Sequence, residues 1–215
     1  CGSADLMEAL GVNLNVPVTK TEECINVLNL GFLFAPHFHS AMRHVAPVRK
    51  ELGFRTIFNI LGPLTNPAHA PAQLLGVFAD HLTETCAQVL KNLGSKHALV
   101  VHGSDNLDEI TITGESKISE LVDNTVTTYN LNPAELGIEP GNPSDLIGEG
   151  VEHNHGITLE ILDGKMGPRR NVVLLNSAAG LIAAGKASDF REGIALASQS
   201  IDSGSAKRTL SELIR

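Results

Sequence analysis

Two adjacent carboxylates are the feature of this sequence best suited to chemistry. Asp108 and Glu109 end the run His102-Gly103-Ser104-Asp105-Asn106-Leu107-Asp108-Glu109, which follows directly on the apolar stretch Ala98 to Val101. A pair of carboxylates in a loop offers hard oxygen donors to a cation such as Mg²⁺, which keeps several waters and is completed by substrate phosphates. The same pair also reads as a solvated acidic loop, and on pattern alone that is the commoner case. Arg49 is the second candidate. A guanidinium fork recognises a carboxylate or phosphate through paired hydrogen bonds, although beside Lys50 and Glu51 an ordinary surface arginine is the more frequent meaning. His37, His39 and His44 cluster, but without cysteine or a fixed acidic partner they are weak metal ligands, and packing or hydrogen bonding accounts for them more simply. Ser3 stands where a helix begins, a position that is usually a plain N-cap and sometimes a phosphate site.

No residue is identified as a nucleophile or as an acid–base catalyst. The chain has no Gly-x-Ser-x-Gly, no phosphate-binding P-loop and no dinucleotide Gly-x-Gly-x-x-Gly. The residue chemistry alone supports an α/β protein with a phosphate–metal site, and goes no further.

The elements that must position these groups follow from periodicity and turn residues. Ser3 is expected to cap a helix over Ala4 to Leu10, with Gly11 past its end. Thr19-Lys20-Thr21-Glu22 reads as a capping box opening a helix to about Asn29. Phe32 to Phe34 reads as a short buried strand, Met42 to Leu52 and Thr56 to Leu61 as helices, and Gly62 to Pro67 as a loop. Leu74 to Phe78, a helix capped by Asp80 and ended by Gly94, and Ala98 to Val101 form a strand–helix–strand unit, hence a parallel pair with a right-handed crossover. Ile110 to Thr113 alternates, and Ile118 to Val122 with Val126 to Tyr129 flank Asp123-Asn124, a hairpin signal. Residues 130–150 read as a long loop with one short helix near Ala134. Four helices should follow: Glu152 to Leu162, Arg169 to Ala184, Ser188 to Asp202 and Ser205 to Ile214. The second is apolar nearly all round and should be buried against a sheet. The expected class is α/β: a mainly parallel sheet flanked by helices, with part of a separate helical domain. Residues 1–70 are assigned to the end of a first α/β segment plus helices that contribute to the helical domain and a substrate channel, and 71–215 to the main α/β domain.

Composition narrows the function classes. Sixteen basic against 24 acidic residues give a net charge of −8 in 215 residues, the opposite of a nucleic-acid binder. No run of 18 apolar residues marks a membrane span, and no secretory signal is present. Three widely spaced cysteines fit neither a disulfide framework nor a zinc site, and a reducing cytoplasm is the simplest setting. The chain opens Cys1-Gly2-Ser3-Ala4-Asp5 as though inside an element, so an N-terminal portion is expected to be missing.

Several stretches resemble the anthranilate phosphoribosyltransferases: Gly2 to Gly11; Gly31 to Pro36 with His39; Val48-Arg49 through Arg55 to Pro67; Val100 to Gly103 with Leu107 to Ile110; and Gly167-Pro168-Arg169 with Leu174-Leu175-Asn176. They run in order over nearly the whole chain, and Thr56 to Pro67 is the most distinctive. The resemblance implies transfer of phosphoribosyl from phosphoribosyl pyrophosphate to anthranilate in tryptophan biosynthesis, in the cytoplasm, with Mg²⁺ as cofactor. It implies that Asp108 and Glu109 hold Mg²⁺ with the donor's pyrophosphate, that Arg49 holds the anthranilate carboxylate, and that Ser3 contacts the donor. Ala35, Pro36 and His39 then fall along the anthranilate channel. The family's Gly-Thr-Gly-Gly-Asp pyrophosphate loop and its Lys-His-Gly-Asn-Arg segment precede Ser3 and are not in this sequence, so the chain alone is expected to be inactive. A homodimer is implied for the full-length family member. Two other readings compete: a pyrimidine-nucleoside phosphorylase of the same fold, and a non-catalytic relative that binds a ligand or partner. The acidic pair together with Asn59 to Pro67 favours the transferase over the first, and retention of Arg49, Asp108 and Glu109 favours it over the second.

Overall fold

The computed structural model describes residues 1–38, 51–54 and 56–215. The helix expected over Met42 to Leu52 lies almost wholly outside them, as do Arg49, His39 and His44. The chain divides into two compact units. One takes in Cys1–Pro67, Gly148–Asp163 and Ile201–Arg215, and the other Ala68–Ile147 and Gly164–Ser200. Residues 148–163 and 201–215, assigned from sequence to the main domain, thus group with the N-terminal unit.

The regular elements described in the first unit are helices. Its elements are α1 (Ser3–Ala9), α2 (Val18–Leu28), the short α3 (Ala35–Phe38) and α4 (Phe58–Leu64), then α6 (Val151–Leu162) and α9 (Ser205–Ile214). α1 packs on α6 and α9 on α2. Helix starts differ from expectation in instructive ways. Gly2, not Ser3, is the N-cap of α1, and the Asp5 carboxylate accepts the Gly2 N–H at 3.0 Å. α2 starts one residue before the expected capping box, because Pro17, with φ fixed at −62°, already supplies the extended cap conformation. Phe32 to Phe34 is irregular rather than a strand: a strand needs a hydrogen-bonding neighbour, and the only sheet among the described residues is β1–β4. α4 continues through Pro63 to Leu64, so the expected loop starts later. At its start, Asn59 Oδ1 accepts the Thr56 N–H at 2.9 Å and Thr56 Oγ1 accepts the Phe58 N–H at 3.3 Å. At its end, the Thr65 N–H and hydroxyl both reach the Leu61 carbonyl.

The second unit is a four-stranded sheet in the order β1 (Ala72–Gly76), β2 (His97–Gly103), β3 (Ser116–Val122), β4 (Thr125–Leu131). β1 and β2 are parallel and joined by α5 (Leu82–Asn92), as the strand–helix–strand pattern predicts. β3 and β4 are antiparallel additions, so the described sheet is mixed rather than mainly parallel. The α/β class holds. Asp123 and Asn124 turn the β3–β4 hairpin with φ of 47° and 64°, the left-handed pair that a two-residue turn requires. Ile110 to Thr113 forms no strand, and the chain bends at Ile112 and Thr113. Short 3₁₀ turns at Pro133–Leu136 and Pro143–Leu146 punctuate the long loop, one more than expected. α7 (Pro168–Ala183) and α8 (Phe190–Asp202) follow.

α5 covers one face of the sheet and α7 packs on β1 and β2. β2 is therefore buried on both faces, with Leu99 and Val101 in one core and Ala98 and Val100 turned the other way. The main core joins Leu99, Val101, Ile110, Ile112 and Ile118 to Leu175, Ala178, Ala179 and Ile182 of α7. α8 crosses α7 closely at Gly193: a methyl group there would lie 2.7 Å from the Ala178 Cβ and 2.8 Å from its Cα.

Two glycines should therefore respond with opposite signs. Gly193→Ala forces α7 and α8 apart and should lower unfolding free energy by about 1–3 kcal/mol. Gly180→Ala, in α7 with open space where its methyl would go, should raise it by about 0.5–1 kcal/mol. Chemical denaturation of both variants checks this.

Candidate active site

The acidic pair lies beyond the carboxyl ends of the parallel strands, where open α/β sheets bind ligands. β2 ends at Gly103, and the chain turns through Ser104 to Leu107 with Asn106 at φ 68°. The Gly103 N–H closes this turn on the Leu107 carbonyl at 2.9 Å. The chain then passes across the end of β1. An added methyl at Gly76 would stand 1.7 Å from the Asp108 carbonyl oxygen, so only glycine permits this approach. Gly103 is confined likewise, since a methyl there would meet Asp105 Oδ1 at 2.6 Å and the Glu109 carbonyl at 3.1 Å.

Side chains fix the rest of the loop. Asp105 Oδ2 accepts the hydroxyls of Thr111 and Thr113, each at 2.6 Å, and its Oδ1 accepts the Leu107 N–H at 3.3 Å. The Ser116 hydroxyl accepts the Thr111 N–H at 2.9 Å. From α7, the Asn176 amide bonds both backbone groups of Ile110, accepting its N–H at 2.9 Å and donating to its carbonyl at 2.8 Å. The buried ring of His102 donates from Nδ1 to the Val77 carbonyl at 2.7 Å, tying the end of β2 to the chain leaving β1. Nearby, Arg169 at the start of α7 donates to the carbonyls of Asp145 and Ile147.

The electrostatics of the loop divide its carboxylates. Partial burial would push the Asp105 carboxyl up, but the Thr111 and Thr113 hydroxyls and the Leu107 N–H outweigh it and hold it below the usual range. Glu109 is raised: loss of surrounding water is the main cause, and the charge of Asp108 adds to it. An acid raised on folding disfavours the fold above that value, and the penalty fades as it protonates. An arriving cation would lift the same penalty at neutral pH.

This donor set suits Mg²⁺ of one kind. No group of three or more metal-ligating side chains occurs among the described residues, so an all-protein cage is not formed there. Two adjacent carboxylates, accessible at the surface though Glu109 is partly shielded from water by the surrounding loop, suit a Mg²⁺ whose remaining positions are filled by water and phosphate oxygens.

The other sequence candidates fall in the first unit. Ser3 is exposed at the first position of α1. Ala35 and Pro36 open α3 and are exposed, and the Phe34 ring stacks edge-on with His37 at 5.2 Å. A cleft of about 400 Å³ between α2 and α9, lined by residues such as Val16, Cys24 and Phe32, contains none of the candidates.

Over residues 1–207 the sequence matches the glycosyl transferase family, a/b domain. The chain belongs to this family. Among curated family relatives, the anthranilate phosphoribosyltransferase of Desulfosudis oleivorans is 53% identical over 215 residues, covering 100% of this chain and 63% of the relative. That of Symbiobacterium thermophilum is 51% identical over 212 residues, covering 99% and 62%. The chain thus spans somewhat under two thirds of the length of these relatives. Among solved structures, anthranilate phosphoribosyltransferase from Thermus thermophilus superposes with a TM-score of 0.93 at 45% identity, covering 99% of this chain and 63% of that one. The Saccharomyces cerevisiae enzyme in complex with PRPP and Mg gives 0.90 at 31% identity, covering 99% and 62%.

Sequence reasoning located the acidic pair in this glycosyl transferase domain but assigned no role to Gly76, Asp105 or Asn176. Gly76 inside the apolar run Leu74 to Phe78 was the available signal for a close backbone approach; nothing local marked Asn176, whose partner lies 66 residues away.

Gly76→Ala must displace the Asp108 backbone, and should cost roughly 1–3 kcal/mol of stability. Faster amide exchange confined to residues 105–110 would confirm where the strain falls. Asp105→Asn should destabilise the protein at neutral pH. Because the Asp105 carboxyl is lowered by folding, its contribution is complete above the unfolded value of about 3.9 and disappears as pH falls through the folded one. Unfolding curves of wild type and variant should therefore converge in acid.

Proposed function

We propose that this protein carries the anthranilate phosphoribosyltransferase activity of its relatives, joining anthranilate to phosphoribosyl pyrophosphate in cytoplasmic tryptophan biosynthesis. The observation that carries the proposal is the placement of Asp108 and Glu109 on a braced loop at the carboxyl edge of the parallel strands. Identities of about half with relatives bearing that name support it. The pair would hold Mg²⁺ together with the donor's pyrophosphate. When bound there, Mg²⁺ supplies positive charge to the leaving group. Arg49 grips the anthranilate carboxylate and aims its amine, Ser3 contacts the donor, and Ala35, Pro36 and His39 line the acceptor's path. The amine nitrogen bonds to the anomeric carbon as the bond to pyrophosphate breaks, and the attacking nitrogen sheds a proton. The amine is already a nucleophile, so no covalent enzyme intermediate is required. Rate comes from positioning and from stabilising the departing charge. The substrates are small molecules, and the working enzyme is a homodimer. No described helix is long and apolar enough to cross a membrane.

The test is loss of anthranilate fluorescence with phosphoribosyl pyrophosphate and Mg²⁺, assayed on the complete reading frame that contains this chain. Transfer to anthranilate, abolished by chelation, is the expected result. Phosphorolysis of a pyrimidine nucleoside without transfer would favour the competing reading. Arg49→Ala should raise the anthranilate KM by on the order of 10- to 100-fold, the worth of hydrogen bonds to a charged group. An unchanged KM would remove Arg49 from that role.

A further inference from the structure

We propose that Asn176 is the positioning residue of the acidic pair, an inference that rests on the metal role given to Asp108 and Glu109. Asn176 lies in the middle of α7, and its side-chain amide pairs with one peptide residue much as a neighbouring strand would. Oδ1 accepts the Ile110 N–H at 2.9 Å, and Nδ2 donates to the Ile110 carbonyl at 2.8 Å. A third bond, from Nδ2 to the Val172 carbonyl at 2.9 Å, fixes which way the amide faces. A flipped amide would turn its oxygen toward two carbonyl oxygens and its NH₂ toward an N–H, so the observed orientation is the only one that satisfies all three.

The target of this clamp is what gives it a function. Ile110 is fully buried and directly follows Glu109. Between the two acids, the Asp108 carbonyl, part of the peptide link to Glu109, is pressed against Gly76. The backbone that carries the two carboxylates is thus held at two points, by a strand-end glycine at the peptide that joins them and by a helix-borne amide at the residue that follows. The helix is itself held by the close crossing of Gly193 on Ala178. The requirement is specific. The site needs a donor and an acceptor on one short planar group: aspartate lacks the donor, leucine lacks both, and glutamine carries the amide one methylene too far. Asn176 touches neither metal nor substrate in this scheme. It acts by setting where the carboxylates stand, as partners behind metal ligands do.

Asn176→Leu keeps the branched shape and removes the clamp; Asn176→Ala, which leaves room for water, replaces it if the leucine variant does not fold. Two readouts apply to the folded protein: amide exchange at Ile110, and Mn²⁺ binding in the presence of inorganic pyrophosphate, followed by electron paramagnetic resonance. Loss of exchange protection at Ile110 together with a Kd for Mn²⁺ raised on the order of tenfold is expected. Leu175→Ala, the neighbouring core residue, controls for general loosening. It should lower the melting temperature yet bind Mn²⁺ like wild type below its melt. Wild-type Mn²⁺ affinity in a folded Asn176 variant would overturn the proposal, as would an equal loss of affinity in Leu175→Ala. Asp108→Asn isolates the underlying reading: if it binds Mn²⁺ and pyrophosphate normally, the metal role itself has failed, whatever exchange at Ile110 shows about the clamp.

Discussion

The backbone of Asp108 crosses the end of β1 where Gly76 has no side chain, and the placement of both carboxylates depends on that approach. The geometry around it is that of parallel strands in which β1 stops short of the end of β2, with Gly76 in register with Val101, β2 continuing to Gly103, and the Val77 N–H bonded to the Val101 carbonyl. The loop leaving β2 crosses its neighbour at this point. Gly103 lets the loop start tightly, Asp105 gathers Thr111 and Thr113 beneath it, and Asn176 secures its far end. A site made from loop residues gains in this way the rigidity of the sheet and of α7.

Electrostatics separate the carboxylates of this loop. Asp105 and Glu109 lie four residues apart and are driven in opposite directions, the first by hydroxyl and amide donors and the second by dehydration and by the charge beside it. A carboxylate with satisfied hydrogen bonds is a structural element. A carboxylate short of water and beside a like charge is harder to keep ionised. The net charge of −8 also requires any polyanionic substrate to find its positive charge locally, and a bound Mg²⁺ is one source of it.

The parts of this design that were legible in the sequence are the local ones. The βαβ unit, the Asp123-Asn124 turn and the last helices show in period and turn chemistry, and the final helix matches its expected bounds of Ser205 to Ile214. Misplaced features have particular causes. Pro17 starts α2 before Thr19 can cap it, and Phe32 to Phe34 has strand-forming residues but no strand to pair with. The antiparallel half of the sheet followed from the hairpin, yet its attachment beside β2 depends on core packing that no short window contains. Long-range contacts account for the rest. The acidic pair is visible in the sequence as two letters; the residues that hold it, Gly76 and Asn176, are 32 positions before Asp108 and 66 after Ile110, and only folding brings them together.

The most direct test of the central claim is an anomalous-difference map from crystals of the protein soaked with Mn²⁺ and pyrophosphate. A single strong peak within coordination distance of the Asp108 and Glu109 carboxylates, with pyrophosphate oxygens completing its shell, is expected. A peak bound elsewhere, or none at this loop while pyrophosphate is ordered, would contradict it.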